Sequence, residues 1–116
     1  MNDLAKLAKR LRKFRDERDW KKYHTPKDLA ISVSLEASEL LEHFQWKTPD
    51  EADKYVKEHK DKLAEELADV FNYVVALADT VGIDILDEAH KKLEKNSAKY
   101  PIEKIKGNYK KYTEIT

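Results

Sequence analysis

The sequence contains no cysteine, only two glycines, three prolines and two tryptophans, and carries no net charge. Each scarcity narrows what the chain can be. Without cysteine there are no disulfides, no thiolate metal sites and no cysteine nucleophile, which fits a reducing compartment. So few glycines cannot supply the many tight turns of an all-β domain, and the Val and Ile residues fall inside helical rather than alternating patterns. No N-terminal apolar run has the form of a signal peptide and no stretch is long enough to span a bilayer, so a soluble, cytoplasmic protein is expected. The 23 basic and 23 acidic residues cancel, and no global field draws the chain to nucleic acid or to an anionic membrane. A length of 116 residues predicts one domain, small enough that association with further copies would help to cover its core.

What is abundant is charge, at 40% of residues, and its placement is uneven. Lys and Arg are spread through most of the chain but are absent from residues 28–46 and 63–90. Each basic-free stretch holds two acids three residues apart in an apolar setting, Glu36 with Glu39 and Glu66 with Asp69. Residues at that spacing share a helix face, so each pair forms a two-pronged acidic claw. Like charges placed together without cationic partners call for another counterion.

Helix signals surround both claws. Leu4, Leu7, Ala8, Leu11 and Phe14 recur at helical spacing in a first amphipathic segment that ends before Trp20. Thr25-Pro26, with Asp28 in the capping-box position, opens a second helix over residues 26–44. The signature repeats at Thr48-Pro49 with Glu51, opening a polar helix through Val56 that bends or breaks around residues 59–61. A long apolar helix over 62–81 follows, with Gly82 as its left-handed terminator; Asp84 caps another towards Lys99, and Pro101 stops it. The predicted fold is all-α: a four-helix bundle with a short extra helix and a C-terminal tail. A helical domain is expected over residues 1–101 and a basic tail, extended or partly ordered, over 102–116.

Two facing helices would bring Glu36, Glu39, Glu66 and Asp69 together. Oxygen ligands of this kind suit magnesium or manganese, which keep several waters and commonly bind substrate phosphates as well. A solvated surface is the competing account of any acidic pair. Against it, neither Glu36 nor Glu39 has a Lys or Arg within one turn, and Leu67, Ala68, Val70 and Phe71 make the surroundings of Asp69 too apolar for a wholly exposed face. Glu65, four residues before Asp69, competes with Glu66 as a ligand or stands beside it.

These residues resemble a known pattern. The order Glu36-Ala-Ser-Glu39, then Glu66-Leu-Ala-Asp69, then Lys92-Leu-Glu-Lys95-Asn96 leading to Lys99-Tyr100-Pro101, is similar to the MazG-like nucleotide pyrophosphohydrolases of the all-α NTP pyrophosphatase superfamily. The segments Glu17-Arg18-Asp19-Trp20, His24-Thr25-Pro26 and Phe44-Gln45-Trp46-Lys47 resemble most closely the dCTP pyrophosphatase group. One departure is Leu11, where the animal dCTP-preferring members carry a histidine.

The resemblance implies Mg2+-dependent hydrolysis of nucleoside triphosphates, such as dCTP, to the monophosphate and pyrophosphate, with Mn2+ as a possible substitute. It implies a role in nucleotide-pool housekeeping and assembly as a homodimer or homotetramer. Glu36, Glu39, Glu66 and Asp69 would be the metal-binding and catalytic residues, with the general base undecided among them and Glu65. Lys92, Lys95, Asn96 and Tyr100 would bind phosphate; Trp20, His24, Trp46 and Tyr73 would hold base and sugar, Tyr73 packing where a 2′-hydroxyl would lie. Each tryptophan taken alone is more often core than ligand. His43, His59 and His90 lack an evident partner and read as surface or structural residues.

Three other functions compete. A di-iron carboxylate bundle needs two Glu-x-x-His motifs, and this chain has only the lone Asp87-x-x-His90. A non-catalytic helical interaction module does not explain unpaired acids on an apolar background. A nucleic-acid binder has the basic termini in its favour and the neutral net charge against it.

Overall fold

A computed structural model describes residues 2–107, and among these every regular element is helical. The elements are α1 (Asp3–Glu17), a 3-10 turn (Lys21–Tyr23), α2 (Pro26–Glu42), α3 (Pro49–Glu58), α4 (Lys60–Val81), α5 (Ile85–Lys99) and the one-turn α6 (Ile102–Ile105). The all-α expectation holds, with four long helices and the short α3 between them. No described helix is long and apolar enough to cross a membrane. The chain forms two compact units, dividing between Ile83 and Asp84.

Local chemistry explains the boundaries. At Thr48 the hydroxyl accepts the Glu51 amide at 3.2 Å while the Glu51 carboxylate accepts the Thr48 amide at 3.1 Å, a complete capping box. Thr25 accepts the Asp28 amide at 3.2 Å, but the Asp28 carboxylate takes the Thr25 hydroxyl at 2.9 Å rather than its backbone N–H. Aspartate is one methylene shorter than glutamate and stops at the hydroxyl. The predicted break between α3 and α4 narrows to the single residue His59, so α4 starts earlier than expected, at Lys60. Gly82 (φ 75°) ends α4, with its own amide bonded to Asp79 O and the Ile83 amide to Ala78 O, the two bonds of a Schellman motif.

The same motif ends α1 without glycine. Asp19 adopts φ 53°, with the Asp19 amide on Asp16 O and the Trp20 amide on Arg15 O. That turn folds Trp20 back against Phe14, edge-on at 5.8 Å, with the Arg18 guanidinium 3.7 Å over the Phe14 ring.

In the first unit α4 is the central element: α2 packs along it most extensively, and α1 and α3 also contact it. Among the described residues only Leu29 of α2 and Val75 and Ala78 of α4 are buried apolar side chains. In the second unit Asp84 caps α5 by accepting the Asp87 amide at 3.1 Å, and α5 ends at Lys99 before Pro101, as predicted. The region read as a tail begins instead with α6, because Pro101 sets φ −59° ahead of Ile102 and a short turn can restart. Residues 108–116, the rest of that predicted tail, lie outside the described residues.

Candidate functional site

The extensive α2 to α4 packing carries the two acidic claws towards each other. Glu36 and Glu39, one turn apart on α2, meet Glu66 of α4, and one carboxylate oxygen from each falls within 4.8 Å of the others. Glu66 therefore joins the cluster, and Glu65, which is exposed, does not. Among the described residues none of the three forms an ion pair with Lys or Arg. Glu36 Oε2 and Glu66 Oε2 are both buried, and among the described residues neither has a hydrogen-bond partner.

Such an arrangement is costly in its fully ionised form. The hydrogen-bonding contact with Glu66 pushes the Glu36 carboxyl above its ordinary value, with burial and the negative charge of Asp69 adding to the effect. Glu39 is pushed up as well, first by its contact with Glu36. Three oxygen ligands, two orphaned buried oxygens and no internal cation fit a hard divalent ion. Metal binding would satisfy the orphans and remove the repulsion together.

Asp69 follows one turn after Glu66 but stands outside the three-glutamate group, exposed. It lines a cavity of about 470 Å³ between α1 and α4, and its charge still reaches Glu36. Trp20, His24 and Tyr73 line the same cavity. Three of the four residues assigned to base and sugar are thus assembled beside one of the predicted metal ligands. Trp46 is not among the lining residues; it is 86% exposed, just beyond the end of α2. Leu11, the residue that departs from the animal pattern, is a wall of this cavity.

Sequence reasoning missed the cavity's arginines. Arg10, Arg12 and Arg15 of α1 line it, Arg12 being hydrogen-bonded to Asp79 across to α4 and Arg15 to Asp16 at 2.8 Å. They read as the solvated face of an amphipathic helix because nothing in the sequence placed that face against α4. The predicted phosphate ligands belong to the second unit: Lys92, Lys95 and Asn96 lie on α5, and Tyr100 is its C-cap, donating its amide to Asn96 O at 2.9 Å.

The absence of an evident partner for His43 is corrected. It is half-buried, its Nδ1 hydrogen-bonded to the Tyr55 hydroxyl and its Nε2 4.0 Å from Glu66 Oε1. A second hollow, of about 400 Å³, contains these residues with Glu39, Glu42 and Lys47. The signal was out of reach in sequence because Tyr55 approaches from α3, 12 residues away. His59 packs against Tyr55 with the rings tilted and their centroids 4.7 Å apart, and His90 is exposed on α5.

Comparison with known proteins places the chain in a family. A family model described as MazG-like matches residues 31–115. The dCTP pyrophosphatase 1 proteins of Rattus norvegicus and Homo sapiens are each 36% identical over 104 residues, covering 88% of this chain and 61% of theirs. The chain thus spans about three fifths of the length of these curated relatives. A pyrophosphatase from Archaeoglobus fulgidus, known from its crystal structure, is 44% identical with a TM-score of 0.82, over 87% of this chain and 94% of that one. A family model matching most of the sequence and a structural neighbour at 44% identity with the same all-helical fold together establish that this chain belongs to the MazG-like family.

Proposed function

We propose that this protein hydrolyses nucleoside triphosphates, dCTP among them, between the α and β phosphates to give the monophosphate and pyrophosphate. The observation that carries it is the three-glutamate cluster with two orphaned oxygens, which shares α4 with an aromatic and arginine-lined cavity. Glu36, Glu39 and Glu66 would hold Mg2+, with Mn2+ as a substitute, and Asp69 would complete the site from the cavity side. When bound, the ion supplies charge neutralisation at the phosphate oxygens and an acidified water.

The chain's own residues do the rest. Trp20 offers a flat face for the base, with the His24 ring 6.3 Å away between base and sugar, and Tyr73 closes the sugar end against a 2′-hydroxyl. Trp46, with most of its surface open, is a second stacking face. Arg10 and Arg15 meet phosphate charge from the α1 side. On the sequence motif alone, Lys92, Lys95, Asn96 and Tyr100 of the second unit are assigned as phosphate ligands. An exposed carboxylate on the cavity wall, Asp69, is the group we assign to accept the proton of the attacking water.

The test is incubation of the pure protein with each dNTP and NTP, with and without Mg2+, measuring pyrophosphate separately from orthophosphate. Pyrophosphate release that stops on chelation is expected. Orthophosphate as the first product, or turnover indifferent to chelation, overturns the proposal. Trp20→Ala is expected to raise KM by roughly 10-fold, the scale of one lost stacking contact, and to change base preference more than kcat. An unchanged KM for every base removes Trp20 from the base site.

Assembly as a homodimer or homotetramer is part of the proposal. With only three buried apolar residues described, α2 leaves Ile31 and Leu35 46% and 60% exposed, and α4 leaves Leu67 and Phe71 49% and 50% exposed. Each pair is one turn apart on its helix and would be covered by a second copy. Light scattering is expected to give a multiple of 13.6 kDa, and the Leu35→Glu/Leu67→Glu double variant should shift it towards the monomer. A wild-type monomer at micromolar concentration refutes this.

A further inference from the structure

The α3 helix contributes no carboxylate to the cluster, yet it delivers one hydroxyl to it indirectly. Tyr55 bonds through its hydroxyl to His43 Nδ1, and the other imidazole nitrogen, Nε2, stands 4.0 Å from Glu66 Oε1. The His43 and Glu66 side chains are 19% and 13% exposed, so the contact is largely shielded from water. We propose that Tyr55 and His43 form a positioning couple that aims the Glu66 carboxylate into the three-glutamate site. The inference rests on the cation-binding role proposed for that cluster.

The chemistry of the partners orders the couple. An ionised carboxylate only accepts hydrogen bonds, so the favourable tautomer of a neutral imidazole presents Nε2–H to Glu66. Nδ1 is then an acceptor, and the Tyr55 hydroxyl donates to it. At 4.0 Å the last step is a charge–dipole attraction rather than a hydrogen bond, made at closest approach to Oε1. Among the described residues Glu66 Oε2 has no hydrogen-bond partner, which leaves it available to a ligand.

The anchor itself is fixed from several sides. His59 packs on the Tyr55 ring at 4.7 Å, Phe44 meets it edge-on at 6.0 Å, and Lys47 Nζ lies 4.5 Å over it. Lys47 also donates to the His43 carbonyl at 2.6 Å, which keeps this ammonium next to the cluster yet out of it. Without the Tyr55 hydroxyl the imidazole would lose the hydrogen bond that fixes its Nδ1, and with it the orientation that points Nε2 at Glu66.

Mn2+ affinity of the nucleotide-free protein, measured by calorimetry or by the free-ion EPR signal, tests the couple without recourse to turnover. Tyr55→Phe removes a single oxygen and keeps the ring packing; it is expected to weaken Mn2+ binding by about 10-fold or more, as loss of a ligand's supporting contact does. His43→Asn keeps a polar atom near Nδ1 but cannot reach Glu66, and is expected to bind as weakly. His43→Gln, whose amide nitrogen replaces Nε2, is expected to recover part of the affinity, a difference that loss of packing would not produce. Glu36→Gln serves as the reference because it touches the cluster and not the couple. If Glu36→Gln weakens binding while Tyr55→Phe matches wild type, or if His43→Asn binds as well as His43→Gln, the positioning role is overturned and the cation site stands. If Glu36→Gln also matches wild type, the cation site falls and the couple with it.

Discussion

Glu36→Gln is expected to lower turnover at least about 10²-fold while raising the melting temperature of the cation-free protein at neutral pH. The two effects share one cause. Glu36 sits in a group of three carboxylates with its Oε2 buried and unpartnered, and its carboxyl is pushed up by contact with Glu66 and by burial. The folded protein holds the Glu36 proton more tightly than the unfolded chain. The stability linked to it is therefore complete below the ordinary value of 4.5 and is lost as pH rises through the raised one. Glutamine imitates the protonated form at every pH and can donate to its neighbours. A gain of at most a few degrees is expected, small because solvent screens a carboxylate that is only partly buried. The gain should shrink in acid, where wild type is also protonated, and Mg2+ should raise the wild-type melting temperature more than that of the variant. Thermal melts at pH 4 and pH 7.5, with and without Mg2+, check this. A variant less stable than wild type at neutral pH would show that the cluster is not electrostatically strained.

Asp69→Asn is the contrasting case. Asp69 is exposed, lies outside the three-glutamate group, and lines the cavity with Trp20, His24 and Tyr73. Turnover is expected to fall at least roughly 10²-fold, the usual loss when a general base is removed, with KM little changed. Apo stability should rise less than in Glu36→Gln, because no buried, unpaired oxygen is relieved and only the charge that reaches Glu36 is removed. Steady-state kinetics beside a melting curve separate the two variants. Wild-type turnover in Asp69→Asn would remove Asp69 from catalysis and leave the proton to another group.

Caps and terminators were legible from local sequence because each is settled within a few residues. Thr25-Pro26, Thr48-Pro49 with Glu51, Gly82 and Asp84 all act where the sequence placed them. The Glu36 and Glu39 pair was legible for a related reason: a spacing of three on an apolar background is itself a statement about one helix face. Less legible was the ending of α1 at Asp19, since an aspartate in the left-handed region leaves a weaker mark than a glycine.

The composition and periodicity of this chain determined by themselves that it is helical and that α2 and α4 each carry acids without basic partners. Tertiary structure alone decided which acids meet. It selected Glu66 over Glu65 and kept Asp69 out of the close group. It also turned the arginines of α1 towards a cavity and brought Tyr55 of α3 to His43. The reason is the range of the forces involved. Helix formation and capping are governed by neighbours within about one turn, whereas contacts between helices depend on how whole faces pack, and the residues that meet there are far apart in sequence.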